Sequence, residues 1–417
     1  MPHFSVVIAA YNAARWIVPT IRSALDQTYR DFEIIVVGDG CTDDTADVVA
    51  AHFADSVRWT NLARNSGGQS TPNNEGIRLA RGTHVAYLGH DDIWSRRHLE
   101  QLAGVVRECD PDFAVSGAVY HGPPGSSYYQ TTGLFDDPGA PEREFFPPSS
   151  FAHRRDLVDR IGLWRDPDEL RAPADCEFLL RAVEHRCTFA STGTITVHKF
   201  AAGHRYLSYR FPSDVEQRQL LERLGQNGGE AEILDEIQRA IAGGAEHSSV
   251  RYMDFEQFGA GELFRKNRGN KGLDTPPPAT VDRPRWFPVE PFPAGLDWYE
   301  VEERWLVGRL RWSGPNPNAR YPVNVRLNGK ARLRIHVLAF AADDLASSLR
   351  IDVDERDAPF ACTHTPTGGY VFALDDPVGP VADGLVLRFR LPRCARLLND
   401  PRRAGLALRG IEIVPVE

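Results

Sequence analysis

The sequence is poor in three things. Its six cysteines (Cys41, Cys109, Cys176, Cys187, Cys362 and Cys394) lie far apart and form no Cys-x-x-Cys pair. That excludes a disulfide-dense scaffold and a thiolate zinc site, and leaves free thiols as the expectation. No stretch approaches the ~20 apolar residues that cross a bilayer; the longest continuous runs, residues 6–10 and 34–37, are of strand length. Positive charge is in deficit, with 48 Lys and Arg against 57 Asp and Glu for a net charge of −9. A general nucleic-acid binder is thereby excluded, and any phosphate-bearing ligand must be held by a local device. The first residues carry no basic-then-apolar leader, so the expected location is cytoplasmic, with attachment to the inner face of the membrane left open. What remains is an ordinary globular composition, 42% apolar and 25% charged over 417 residues, enough for two or three domains.

The first 120 residues alternate strand and helix patterns. Strands are expected at residues 4–10, 32–37, 57–61, 84–88 and 113–119. Helices are expected from an N-cap at Asn12 through Ile17, Ile21 and Leu25, through Val48, Val49 and Phe53, and at 74–80 and 99–106. This order predicts an α/β fold with a mostly parallel sheet flanked by helices, which binds ligands beyond the carboxyl ends of its strands. Asn12, Asp39, Asn65 and the group His90-Asp91-Asp92 stand at those ends. Residues 121–150 read as an irregular insertion, and helices follow at 154–161, 174–185, 213–224 and 231–241. Residues 267–283, with Pro276-Pro277-Pro278, read as a linker. Beyond it the period becomes two, as in Leu333, Ile335 and Val337, and Asn328-Gly329 signals a hairpin turn. The domains are therefore expected at 1–210 (catalytic), 211–266 (helical extension), 267–285 (linker) and 286–417 (antiparallel β-sandwich).

Asp91-Asp92 at a strand exit is a hard-oxygen pair suited to Mg²⁺ or Mn²⁺ bridging a diphosphate; an acidic pair serving a helix dipole is the competing account. Asp39, between Gly38 and Gly40, suits a base N–H or a ribose hydroxyl. Tyr11 and Asn12 suit a nucleobase, or else core packing and capping. The small-residue loop of Asn65, Ser66, Gly67 and Gly68 permits close backbone approach to a ligand. Trp94 and Trp164 suit core packing or an acceptor wall; Trp298, Tyr299, Trp305 and Trp312 suit a carbohydrate platform or a sandwich core.

Several segments in order, residues 4–12, Val36-Val37-Gly38-Asp39-Gly40, residues 65–76, Leu88-Gly89-His90-Asp91-Asp92-Ile93-Trp94, residues 153–157, Ile161-Gly162-Leu163-Trp164 and residues 174–181, resemble the family 2 glycosyltransferases. The resemblance spans residues 4–198. It implies a Rossmann-like GT-A fold, a nucleotide-diphosphate sugar donor (a UDP-sugar first), Mn²⁺ or Mg²⁺, and inversion at the anomeric carbon. Carried over by position, Ala10, Tyr11, Asn12, Asp39, Asn65, Gly67, Gly68, Asn73, His90 and Asp91 border the donor. Asp91, Asp92 and His198 are the metal ligands, with His204 competing for the last role. Asp175 is the general base, with Glu177 as its alternative. The helix dipole is expected to keep the Asp175 pKa low.

Four positions depart from the family pattern. Gly89 replaces the first Asp of Asp-x-Asp, Gly38-Asp39-Gly40-Cys41 replaces Asp-Asp-Gly-Ser, Ala174 replaces the Glu before the base, and Asn73 stands where Arg is frequent. A Gln-x-x-Arg-Trp motif is missing, which points to a non-processive enzyme building a surface polysaccharide or related glycan on a glycan or lipid-linked acceptor. A homo-oligomer through the helices or the C-terminal domain is left open. Two rival readings are a non-catalytic glycan-binding or scaffolding protein and a sugar-nucleotide pyrophosphorylase. The latter needs a Gly-rich basic loop after the first strand, which residues 10–14 lack.

Overall fold

A computed structural model describes the chain except residues 1, 123–128, 137–139, 201–204, 206–207, 244–254, 256, 275–276, 290–296, 305–307, 367, 383, 398–399, 401 and 417. The chain divides into two compact units, one of residues 1–121, 127–200 and 212–267, the other of residues 122–126, 201–211 and 268–417.

The first unit is built on β1 (Phe4–Ala10), whose side chains are almost all buried, as befits a central strand covered on both faces. It pairs in parallel with β2 (Phe32–Gly38), from Phe4↔Phe32 to Ala10↔Gly38, and with β4 (His84–Tyr87). β3 (Arg58–Asn61) extends the β2 edge. On the other side the sheet becomes mixed. Past β4 its order is β8 (Phe151–Arg154), β6 (Phe113–His121), β9 (Phe189–Phe200) and β5 (Ile93–Trp94), with β7 (Tyr129–Thr132) beside β6. β8 is antiparallel to both neighbours, while β6 and β9 run parallel over the longest register of that half. The expected α/β architecture is present. β7 corrects the reading of residues 121–150 as wholly irregular, because Tyr129–Thr132 finds a partner edge on β6.

The helices are α1 (Ile17–Leu25), α2 (Thr45–Phe53), α3 (Ser70–Leu79), α4 (His98–Cys109), α5 (Leu157–Ile161), α6 (Ala174–Glu184), α7 (Val215–Gly225), α8 (Gly229–Ala242) and α9 (Glu262–Lys271). Asn12 is not the cap of α1: it is left-handed at φ 45°, and Trp16 precedes the helix. The reason is competition for the amides, since the Ala13 and Ala14 N–H groups donate to Thr45 Oγ1 (2.8 Å) and Asp43 Oδ2 (3.2 Å). α9 occupies residues with which the linker was expected to begin. Leu220 and Leu224 of α7 and Ile233 and Ile237 of α8 form one apolar cluster with Ile93, Val119 and Phe200. Trp164 stacks on Phe178 and donates to the Tyr87 hydroxyl, and Trp94 donates to the Ser149 carbonyl, so both tryptophans are core.

The second unit contains a seven-stranded and a four-stranded antiparallel sheet sharing one core. Leu333, Ile335 and Val337 are buried as the period-two pattern requires. Asn328-Gly329 does not close a hairpin: Val325–Arg326 pairs in parallel with Ala279–Thr280, and Ala331–Phe340 pairs with Leu406–Pro415. Trp298 and Trp312 are buried, so neither is a platform; Trp305 lies outside the described residues. Among the described residues no helix is long and apolar enough to cross a membrane.

Candidate active site

The parallel register of β1 and β2 brings their carboxyl ends level, and the Asp39 amide donates to the Ala10 carbonyl at 2.7 Å. The Asp39 side chain, almost fully buried, turns toward the 65–69 loop. It accepts the Ser66 amide at 3.0 and 3.1 Å and the Asn65 side-chain amide at 2.9 Å. A buried carboxylate needs such donors. Gly40 makes the approach possible: at φ +68°, a Cβ there would lie 2.3 Å from the Asn65 nitrogen. Asn12 binds Thr42, accepting its amide at 2.9 Å. Tyr11 and Asn12 remain half-buried beside this corner, as do Gly67 and Gly68, whereas Asn73 is buried within α3.

The turn from Gly89 to Asp92, which follows β4, is fixed at every carbonyl. The Asp92 amide donates to the Gly89 carbonyl at 2.9 Å. Thr20 Oγ1 reaches the carbonyls of His90 (2.9 Å) and Asp92 (3.0 Å), and the Gln217 side-chain amide reaches that of Asp91 (3.1 Å). His90 itself binds the Ala9 carbonyl through Nδ1 at 2.9 Å, which ties the turn to the end of β1. Ser149 bridges the turn internally: its Oγ accepts the Gly89 amide at 3.0 Å and donates to Asp92 Oδ2 at 2.5 Å. The Lys199 ammonium donates to the same Asp92 oxygen. Asp91 is half-buried and adjoins this pair.

Asp175 stands in the first turn of α6, its Oδ1 accepting the Cys176 amide at 3.0 Å. Burial pushes its pKa above the ordinary 3.8, against the lowering effects of backbone donors, Lys199 and the Gln69 side chain. The expectation of a low pKa is thus corrected: desolvation outweighs the helix terminus. Gln69 joins Asp175 to the loop held by Asp39, and Lys199 joins it electrostatically to Asp92 and Asp91. Burial opposes the charge on Lys199, but these carboxylates hold its pKa above the usual lysine value. Tyr120 of β6 faces Asp175 and Asp92 as well, and burial followed by those charges raises its pKa. Glu177 is committed elsewhere, to Arg181 (2.8 Å) and Arg165 (3.2 Å).

The structure therefore links Asp39, Asn65, Asp175, Asp91 and Asp92 in one connected constellation, with His90 tying the turn to β1. It does not bring His198 there. Successive strand residues face opposite ways; His198 binds His121 (3.1 Å) and Ser95 (3.3 Å), while its neighbour Lys199 takes the acidic corner. His204 lies outside the described residues. Among the described residues no group of three or more His, Cys, Asp or Glu is poised for a metal. Sequence reasoning missed Lys199, Ser149, Thr20 and Gln217. One signal was there to be used: Lys199 is the only lysine before Lys266.

The family description "Glycosyl transferase family 2" matches residues 5–162, which contain β1 through β4 and the Gly89–Asp92 turn. Over that segment the chain is similar to the family 2 glycosyltransferases. The glycosyltransferase GlyG of Streptococcus pneumoniae is 33% identical over 131 residues, 31% of this chain and 44% of that protein. The Escherichia coli chondroitin synthase is 36% identical over 93 residues, 22% of this chain and 14% of the synthase. The chain thus spans less than half the length of these curated relatives. Among solved structures, S. aureus TarS (residues 1–349) aligns at 20% identity over 59% of this chain and 73% of its own, with a TM-score of 0.40. A mannosyltransferase from Pyrobaculum calidifontis, in complex with GDP-Man and Mn²⁺, aligns at 19% identity over 58% of this chain and 69% of its own, with a TM-score of 0.37.

Proposed function

We propose that this glycosyltransferase moves a sugar from a nucleotide-diphosphate donor, a UDP-sugar first, to a hydroxyl of a glycan or lipid-linked acceptor, non-processively and with inversion. One observation carries the reading: a half-buried carboxylate with a raised proton affinity, Asp175, faces the Lys199–Asp92 corner and is joined through Gln69 to the Asp39 loop. An acceptor hydroxyl is a weak nucleophile, and Asp175 is the group that takes its proton as the bond to the anomeric carbon forms. Attack from the face opposite the departing diphosphate inverts that carbon. Asp39, with Asn65 and Ser66, orders the loop against the nucleotide, and Tyr11 and Asn12 border the base. A surface polysaccharide or related glycan is the product class we favour, supported by the chondroitin synthase relative.

The residues fit a divalent cation at one carboxylate rather than three. Gly89 brings no carboxylate of its own, and the space that a side chain there would enter is bounded by Asp92 Oδ2 at 2.6 Å and Asp91 Oδ1 at 3.3 Å. Asp91 would hold Mn²⁺ or Mg²⁺ through hard oxygen; Asp92 is bound to Lys199 and His198 to His121. The ion would supply positive charge for the leaving diphosphate. The second unit, with the helices of the first, is the part we assign to acceptor capture or self-association.

The test is a screen of nucleotide-sugar donors for hydrolysis and transfer, with and without Mn²⁺. Turnover that Asp175→Asn removes while donor binding persists supports the reading. Glycan binding without turnover of any donor would sink it in favour of a non-catalytic role.

A further inference from the structure

We propose that Lys199 is a positioning residue that neutralises Asp92 from within, so that the Gly89–Asp92 turn offers a divalent cation a single net negative charge. The proposal deepens the reading above and rests on it at one point, the assignment of the cation to Asp91.

Three observations carry it. First, the ammonium is bonded to Asp92 Oδ2, whose carboxylate is 2% exposed. A buried ion pair of this kind is held only if its remaining hydrogen bonds are also made. Ser149 makes one of them, and ties the same oxygen through its Oγ to the Gly89 amide. Second, Asp92 Oδ2 lies 2.6 Å from where a Cβ on residue 89 would be, so the paired carboxylate fills the volume that a side chain at 89 would enter. Turn, serine and lysine are therefore one packed object. Third, the charge of Lys199 acts on Asp91 and Asp175 as well as on Asp92, which makes it the shared counter-ion of all three.

The consequence is a charge count. With Asp92 cancelled and residue 89 a glycine, the turn presents the charge of Asp91 alone. A cation alone is then bound weakly, and a cation carried by a diphosphate is bound better because the phosphates complete its ligand set. Such a site would hold a cation chiefly in the company of a diphosphate.

The experiment is a double-mutant cycle read by calorimetric titration of the donor-free protein with Mn²⁺. Lys199→Met uncovers the charge of Asp92 and should tighten Mn²⁺ binding on the order of tenfold, the effect of one unit charge a few ångströms away. Asp92→Asn leaves the ammonium uncompensated beside Asp91 and should weaken it. The double variant should return close to the wild type in Mn²⁺ affinity, and Lys199→Arg, which keeps the charge, should keep the wild-type Mn²⁺ affinity. In turnover, Lys199→Met should lower kcat more than it raises the donor KM. Equal Mn²⁺ affinity in wild type, Lys199→Met and Asp92→Asn, each shown folded by its thermal transition, would overturn the proposal. Should Lys199→Met fail to fold, Asp92→Asn alone decides: weaker binding supports the proposal and unchanged binding overturns it. Failure of the underlying reading shows separately, as Mn²⁺ binding that survives Asp91→Ala.

Discussion

Gly89 and Asp92 compete for one volume. A Cβ on residue 89 would stand 2.6 Å from Asp92 Oδ2, so a side chain there requires the carboxylate that Lys199 binds to shift. Restoring the family's acid with Gly89→Asp is therefore expected to lower donor turnover, not to raise it. Crowding of this sort costs about 1–3 kcal/mol. Denaturant unfolding beside a donor-hydrolysis assay checks both effects, and a gain in turnover would refute the expectation.

Asp175→Asn should lower kcat by roughly 10²–10⁴ with little change in donor KM, the usual range for a lost general base. Its effect on stability has the opposite sign. Burial holds the Asp175 proton more tightly in the folded chain than in the unfolded one. Across the window above the ordinary value of 3.8 the folded state thus binds more protons, and stability falls as pH rises through it. Asparagine escapes that loss. The Tm of the variant relative to the wild type should therefore climb as pH rises above the ordinary carboxylate value, measured by thermal scans at a series of pH values.

Asp39→Ala removes the acceptor for the Ser66 amide and the Asn65 side chain. Hydrogen bonds to a charged group contribute about 1.5–3 kcal/mol each, so a loss of about 3 kcal/mol is expected. The freed 65–69 loop should raise the donor KM at least about tenfold while kcat at saturation changes less. A variant in which kcat alone fell would show that Asp39 acts elsewhere.

Thr20→Val preserves shape and deletes the donor shared by the His90 and Asp92 carbonyls. Leaving buried acceptors without a partner costs about 1–3 kcal/mol. Because the turn carries Asp91, Mn²⁺-dependent turnover should fall with it. Wild-type turnover in a measurably destabilised Thr20→Val would show that the turn needs no such brace.

Much of the site was legible in the sequence because the sheet's logic is local. A strand exit follows from an apolar run and the polar residues after it, so Asp39, Asn65 and Asp91 stand out in the order of residues alone. Asp175 was legible through resemblance and through its place at a helix start. The reading failed by one residue at His198, since β9 carries a register shift against β6 and the parity of its side chains is not set by local pattern. It failed wholly for Thr20, Ser149 and Gln217, which reach the turn from 70, 57 or 126 residues away. Such contacts are tertiary, and nothing in a hydroxyl's or an amide's own neighbourhood announces them. Proton affinity failed for a related reason: a helix terminus is visible in sequence, but enclosure is not.

The amide of Gln217, lent by α7 to the Asp91 carbonyl, has a practical corollary. The match to the family description ends at residue 162, yet Asp175, the buried Lys199 and this glutamine all come later in the chain. Trimming the chain at that border would keep Asp39 and the Gly89–Asp92 turn but discard Lys199, Asp175 and Gln217, the groups that the turn and the Asp39 loop are tied to.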